Sequence, residues 1–117
     1  MAKDVRQMLA DFSAGSAKMY GERPEVAGAF SNFVKTTECN GVLDAKFKEL
    51  IGVAISVYCR CEYCIVYHVY NAFKHGATRQ EIVDAAMTAM VYGGGPTMAY
   101  IAATLYPCVD EFEKDFQ

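Results

Sequence analysis

From Asp44 to Phe73 apolar residues recur at roughly three- to four-residue spacing with a single interruption, and no run in the chain alternates apolar with polar as a half-buried strand would. A chain patterned this way must bury stripes on helices. Asp44 can cap a helix carrying Phe47, Leu50, Ile51, Ala54, Ile55 and Tyr58. The apolar face is broad, so this helix is expected to be well buried. The pattern breaks around Tyr58 to Glu62, then resumes through Cys64, Ile65, His68, Val69, Ala72 and Phe73 to a stop at Gly76. Val53, Ile55, Val57 and Tyr58 have strand propensity, but Ala45, Lys46, Lys48, Glu49 and Leu50 before them are good helix formers and the period runs through the join.

The flanks read the same way. Val5, Met8, Leu9, Phe12 and Met19 predict a first helix closed by Gly21 and Pro24, and a second runs from about Glu25 to Thr36. Thr37 to Val42, with Asn40 and Gly41, reads as a loop. Thr78 followed by Glu81 is a capping box for a helix with Ile82, Ala85, Ala86, Ala89 and Met90 on one face; Gly93-Gly94-Gly95-Pro96 is expected to end it. A last helix from about Thr97 should be kinked or interrupted at Pro107. The expectation is an all-α bundle of about six helices forming one domain over residues 1–117. Because 53% of so short a chain is apolar, it is expected to be oligomeric.

A net charge of -3, with no long basic run, offers no footprint for a nucleic-acid backbone. No segment has the uninterrupted apolar length of a membrane span, and MAKDVRQMLADF is charged where a signal peptide is apolar, so a cytoplasmic location is expected. Of five cysteines, Cys59, Cys61 and Cys64 cluster while Cys39 and Cys108 stand alone and are expected to fill local space. In a reducing compartment such a cluster is more often catalytic or metal-binding than a structural staple.

At about 100° per residue, Cys61, Cys64 and His68 share a sector of roughly 60° on one helix. Cysteines three apart at a helix start can bridge with little movement and so cycle between dithiol and disulfide. A thiol needs help to become a thiolate at neutral pH. The helix N-terminus supplies it near both cysteines and most directly at Cys61, whereas His68, one turn beyond Cys64, favours Cys64. Glu49 on the preceding helix can orient His68 or complete a proton relay.

This pattern resembles the AhpD-like, carboxymuconolactone decarboxylase family: a glutamate, then twelve residues later C-x-x-C, then a histidine four residues after the second cysteine, as in Glu49, Cys61, Cys64 and His68. The resemblance spans about Thr37 to Leu105 and includes the stretch from Asn71 to Ile82. It implies an all-helical fold assembling into trimers or hexamers, and a cycle that reduces a hydroperoxide without metal or organic cofactor, recharged by a dithiol reductant of lipoyl or thioredoxin type. It also implies that Cys64 is peroxidatic, Cys61 resolving, and Glu49 with His68 the relay. Three departures are evident. The chain carries one copy of the motif where the archetype has two similar halves, and Tyr63 stands between the cysteines where the archetype has histidine. The decarboxylase branch lacks the cysteine pair, so Cys61 and Cys64 argue against lactone decarboxylation.

Other readings compete. Helical C-x-x-C can be two buried thiols, and a lone helical glutamate is ordinarily solvated. Cys59, Cys61, Cys64 and His68 offer a zinc-type ligand set, although an unbroken helix turns Cys59 away from the others. The thiols can also belong to an oligomeric interaction module without peroxidase turnover, which an exposed apolar face would support. Tyr58 and Tyr67 are candidates to line a substrate pocket, and His75 suits a helix C-terminus. The glycine run lacks the Lys-Ser/Thr pair of a phosphate loop and reads as a turn that lets two helices pack closely.

Overall fold

Seven α-helices follow one another in the computed structural model, which describes residues 3–117: α1 (Val5–Glu22), α2 (Pro24–Glu38), α3 (Ala45–Cys59), α4 (Glu62–Lys74), α5 (Arg79–Thr88), α6 (Met90–Tyr100) and α7 (Tyr106–Phe112). A π-helical turn, Ile101–Leu105, joins α6 to α7, so the two form one rod and the bundle has six rods. No strand occurs among the described residues, and none of their helices is long and apolar enough to cross a membrane. Met1 and Ala2, part of the domain expected over 1–117 and of the charged N-terminal stretch, lie outside the described residues.

α3 and α4 form the central hairpin. Val53 and Val57 of α3 meet Ile65, Val66, Val69 and Ala72 of α4, with Ile82 and Ala86 of α5 and Leu105, Val109 and Phe112 of the C-terminal rod closing the core. Each fully buried valine, isoleucine, leucine or phenylalanine among these contributes about 1.5–3 kcal/mol relative to exposure. α1 leans on this core through Val5 and is tied to α7 by Arg6, whose guanidinium binds Glu111 and Asp115 and lies over the Phe112 ring.

The helix starts are those the sequence signals. Asp44 accepts the Phe47 N–H at 2.8 Å, and Thr78 and Glu81 form the reciprocal capping box. At the end of α4, Gly76 has φ of 90°; its N–H bonds the Phe73 carbonyl and that of Ala77 bonds the Ala72 carbonyl, the double closure of a Schellman motif. His75 sits in that cap with Nδ1 2.8 Å from the Asn71 carbonyl.

Four expectations need correction. α2 runs to Glu38 and not Thr36, because the Lys48 ammonium donates to the Thr37 and Cys39 carbonyls and so satisfies groups that would otherwise end the helix. α3 is not buried on its whole apolar surface: Ala45, Glu49, Val53, Ser56 and Val57 face the core, while Phe47, Ile51, Ile55 and Tyr58 lie exposed along another face. Both faces are apolar, and one protomer covers only one of them. The fifth helix is interrupted at Ala89, before the glycine run, and the break within that run falls at Gly94, with φ 60° and ψ -140°. Gly93 does permit close packing, since a Cβ there would meet the Thr97 hydroxyl at 1.8 Å and the Tyr58 ring at 3.2 Å. Pro107 produces no break. The π turn precedes it, with the Tyr106 N–H reaching back five residues to the Ile101 carbonyl, and this wider turn accommodates the proline ring.

The α3–α4 connection sets the direction of the site. Arg60 adopts φ 57°, ψ 41°, its N–H bonding the Val57 carbonyl and the Cys61 N–H the Ser56 carbonyl. This is the same double closure as at Gly76, with arginine in the left-handed position that glycine occupies without strain. Arg60→Gly is therefore expected to raise stability by about 0.5–1 kcal/mol, the relief of strain exceeding the added freedom of the unfolded chain. Chemical denaturation compared with wild type measures it.

Candidate functional site

The closure at Arg60 delivers Cys61 to the N-cap of α4 in an extended conformation, where its sulfur accepts the Cys64 N–H at 3.2 Å. Cys64 lies in the first turn, its Cα 5.2 Å from that of Cys61, and the two form a disulfide. The open N–H groups of α4 give this end of the helix a partial positive charge that favours a thiolate on either sulfur after reduction.

Glu49 faces inward from the middle of α3 and is only 3% exposed. A carboxylate so placed needs partners, and it accepts from His68 Nδ1 at 2.9 Å. That bond directs the other ring nitrogen, Nε2, away from Glu49 and leaves it available for proton exchange. Gly52 makes the arrangement possible, since a Cβ there would lie 2.6 Å from Nδ1 and 2.8 Å from Cε1 of the imidazole. Tyr67 packs edge-on against the His68 ring at 5.1 Å and is itself backed by Phe12. Burial, and then the carboxylates of Glu38 and Glu49, raise the Tyr67 phenol above its ordinary value, so it keeps its proton.

Cys61, Cys64 and His68 line one cavity of about 500 Å³, walled on its apolar side by Leu43, Ile51 and Ile55. Tyr58 lines a separate cavity of about 350 Å³ with Arg60, Tyr92 and Thr97, and Tyr67 acts as support for His68. Cys59, exposed on the last turn of α3, lines the same cavity as Cys61, Cys64 and His68, but two sulfurs of the zinc-type set are joined to each other. Cys39, expected to fill local space, is exposed, and its thiol turns back to the Thr36 carbonyl at the end of α2. Cys108 is buried, and burial pushes its thiol up to about 12, which leaves it protonated and unreactive.

Sequence reasoning missed two residues here. Gly52 was legible in principle, because a lone glycine inside an apolar helix costs about 1 kcal/mol relative to alanine and so marks a close approach. Glu38 carried no such signal. It ends α2 and lines the cavity, and one of its carboxylate oxygens lies within 4.8 Å of both a Glu49 oxygen and a His68 ring nitrogen. Burial, and then repulsion by Glu49, raise its acid above the ordinary value.

A helical bundle with a C-x-x-C disulfide at a helix start, set over a buried carboxylate–imidazole pair, defines a class of small all-α domains built around a cysteine pair. The chain belongs to the carboxymuconolactone decarboxylase family, whose model matches residues 24–105. It is 32% identical to a member of that family from Legionella pneumophila, with a TM-score of 0.85 over 97% of each chain. A family member from Thermotoga maritima, for which involvement in an antioxidative response has been suggested, is 27% identical with a TM-score of 0.78 over 92% of this chain and 93% of its own. An uncharacterized protein of Cupriavidus necator is 30% identical over 90% of this chain and 93% of its own length.

Gly52→Ala should fold but force the imidazole out of place. The expected result is loss of the protected His68 Nδ1 proton signal in NMR and destabilisation on the order of 1–3 kcal/mol, the usual cost of overpacking. An unchanged imidazole signal would mean that α3 yields instead.

Proposed function

We propose that the protein is a thiol-dependent reductase of organic hydroperoxides, or a closely related dithiol–disulfide oxidoreductase, using Cys61 and Cys64 as its redox pair. The observation that carries this reading is the placement of the Cys61–Cys64 disulfide and His68 in one cavity, with His68 held by the buried Glu49. A cysteine pair at a helix start supplies two electrons, and an anchored imidazole supplies a place for a proton. The apolar wall of Leu43, Ile51 and Ile55 suits an organic peroxide or the hydrocarbon arm of a dithiol.

The chemistry balances with these groups. Cys64 gives its proton to His68, and the thiolate attacks the terminal oxygen of the hydroperoxide, forming S–O as O–O breaks; the departing alkoxide takes up a proton and leaves as alcohol. Cys61 then attacks the sulfenic sulfur, S–S forms, and the hydroxyl leaves with the second thiol proton as water. Dithiol plus hydroperoxide thus gives disulfide, alcohol and water. A dithiol reductant of lipoyl or thioredoxin type returns the pair to the reduced state through a mixed disulfide. The assignment of Cys64 as attacker follows from His68 on the next turn; the cap position of Cys61 makes it the alternative.

Replacing Cys64 by serine is expected to abolish peroxide-driven disulfide formation and to slow oxidation of the remaining Cys61 at least about 100-fold. Quenched alkylation and mass spectrometry after one equivalent of tert-butyl hydroperoxide reads both. If Cys61→Ser instead removes the fast step, the two roles exchange. If reduced wild-type protein reacts no faster than free cysteine yet exchanges with disulfides, the oxidoreductase reading replaces peroxide reduction.

The protein acts as a homo-oligomer in this proposal, a trimer or hexamer. The supporting observation is the exposed stripe of Phe47, Ile51, Ile55 and Tyr58 on α3, with Phe30 and Phe33 exposed on α2, the kind of apolar surface that marks an interaction site. The same face serves the alternative reading of a thiol-bearing interaction module. Sedimentation should give three or six times the protomer mass, and Phe47→Glu should lower it; a monomeric wild type would remove the assembly.

A further inference from the structure

We propose that Glu38 is a third member of the proton relay, a positioning residue that exchanges protons between buried Glu49 and the cavity in which the cysteines react. The inference rests on the function proposed above and adds a residue to its site. Glu49 does not reach the cavity surface, whereas Glu38 lines it and lies within 4.8 Å of both Glu49 and His68. A proton taken from Cys64 by His68 must return to the alkoxide, and a relay closed at Glu49 has no second carrier.

The fold holds Glu38 there at some cost. No residue of α2 is buried, so its apolar contacts do little to fix its end. Two polar ties do so. Lys48 of α3 donates to the Thr37 and Cys39 carbonyls on either side of Glu38, at 2.8 and 2.9 Å, and Asn40 accepts the Ala45 N–H at 2.7 Å. They place one carboxyl against another at a helix C-terminus, where the dipole also disfavours negative charge. Two carboxyl groups this close favour sharing one proton.

The groups that act on Glu38 come from both neighbouring helices. From α3 there are Glu49, which raises its acid, and Lys48, whose ammonium is committed to the two carbonyls. From α4 and its cap there are His68 and His75, which lower it, and the protonated phenol of Tyr67. Burial and Glu49 prevail, so Glu38 holds its proton to higher pH than an ordinary glutamic acid. The sign for stability follows: a raised acid favours the fold at pH below its unfolded value, and that contribution is lost as pH rises through the folded value. Glu38→Gln should therefore become more stable relative to wild type as pH increases from acid to neutral.

The test compares full-length wild type with Glu38→Gln and Glu38→Asp, all fully reduced. In the first arm tert-butyl hydroperoxide is added across pH 5–8 and Cys61–Cys64 disulfide formation is followed. The expected result is a rate about tenfold lower in Glu38→Gln with one ionisation missing from its pH profile, and partial recovery in Glu38→Asp. In the second arm the same proteins are alkylated with iodoacetamide without peroxide; the wild-type profile should carry an inflection that Glu38→Gln lacks. Peroxide inert towards wild type with that inflection present would remove the peroxidase reading and keep Glu38 in the relay. Identical alkylation profiles in wild type and Glu38→Gln would overturn the inference whatever peroxide does, and so, where wild type reacts with peroxide, would equal rates across the pH range.

Discussion

A carboxylate taken out of water inside a helical core forfeits several kcal/mol of hydration unless the protein restores its hydrogen bonds, and the hairpin of α3 and α4 is organised around that requirement at Glu49. His68 meets it with one ring nitrogen. For the imidazole to reach, α3 must lack a side chain at Gly52, and α4 must leave the turn at Arg60 in the direction that brings its first two turns alongside. The cysteine positions follow from the same turn, because the residue after the left-handed cap becomes the N-cap of the next helix. The pairing of His68 with Glu49 and the placement of the disulfide thus both depend on the turn at Cys59 to Glu62.

Around that hairpin the helices divide by what they contact. α5 and the C-terminal rod cover one side with aliphatic packing, and Tyr70 of α4 meets the Phe112 ring edge-on there. The other side receives α1, through Val5 and through Phe12 against Tyr67, and α2, which has no buried residue and is held at its end by polar ties. The cavity lies on this thinly covered side. A helix secured in that way opens at a lower free energy than one packed in the core.

The sequence was most readable where a single local rule decides the outcome. Asp44, the Thr78–Glu81 box and Gly76 mark helix ends by side-chain chemistry or by the φ they require, and all three fall where expected. The spacing of Glu49, Cys61, Cys64 and His68 located the residues the fold then assembles. Spacing could not convey which apolar face of α3 turns inward, since Phe47, Ile51 and Ile55 are as hydrophobic as Val53 and Val57 and only the partners distinguish them. Nor could it reveal Glu38, whose place depends on a lysine ten residues later binding the carbonyls on either side of it. At Arg60 a residue stands where local preference favours glycine, and at Pro107 a non-local accommodation replaces the expected break.

That accommodation has an evolutionary side. A π turn holds one residue more than an α-helical path between the same two ends, so Ile101–Leu105 is equivalent to a helix that has accepted a one-residue insertion without losing its axis. Downstream, Cys108, Val109 and Phe112 point into the core only in the resulting phase. Deleting a single residue from the turn would restore regular winding and swing those three side chains about 100° around the rod, with Phe112 leaving Tyr70. Length along this rod is therefore constrained as well as sequence: only gains or losses that keep the phase preserve the packing of those three side chains.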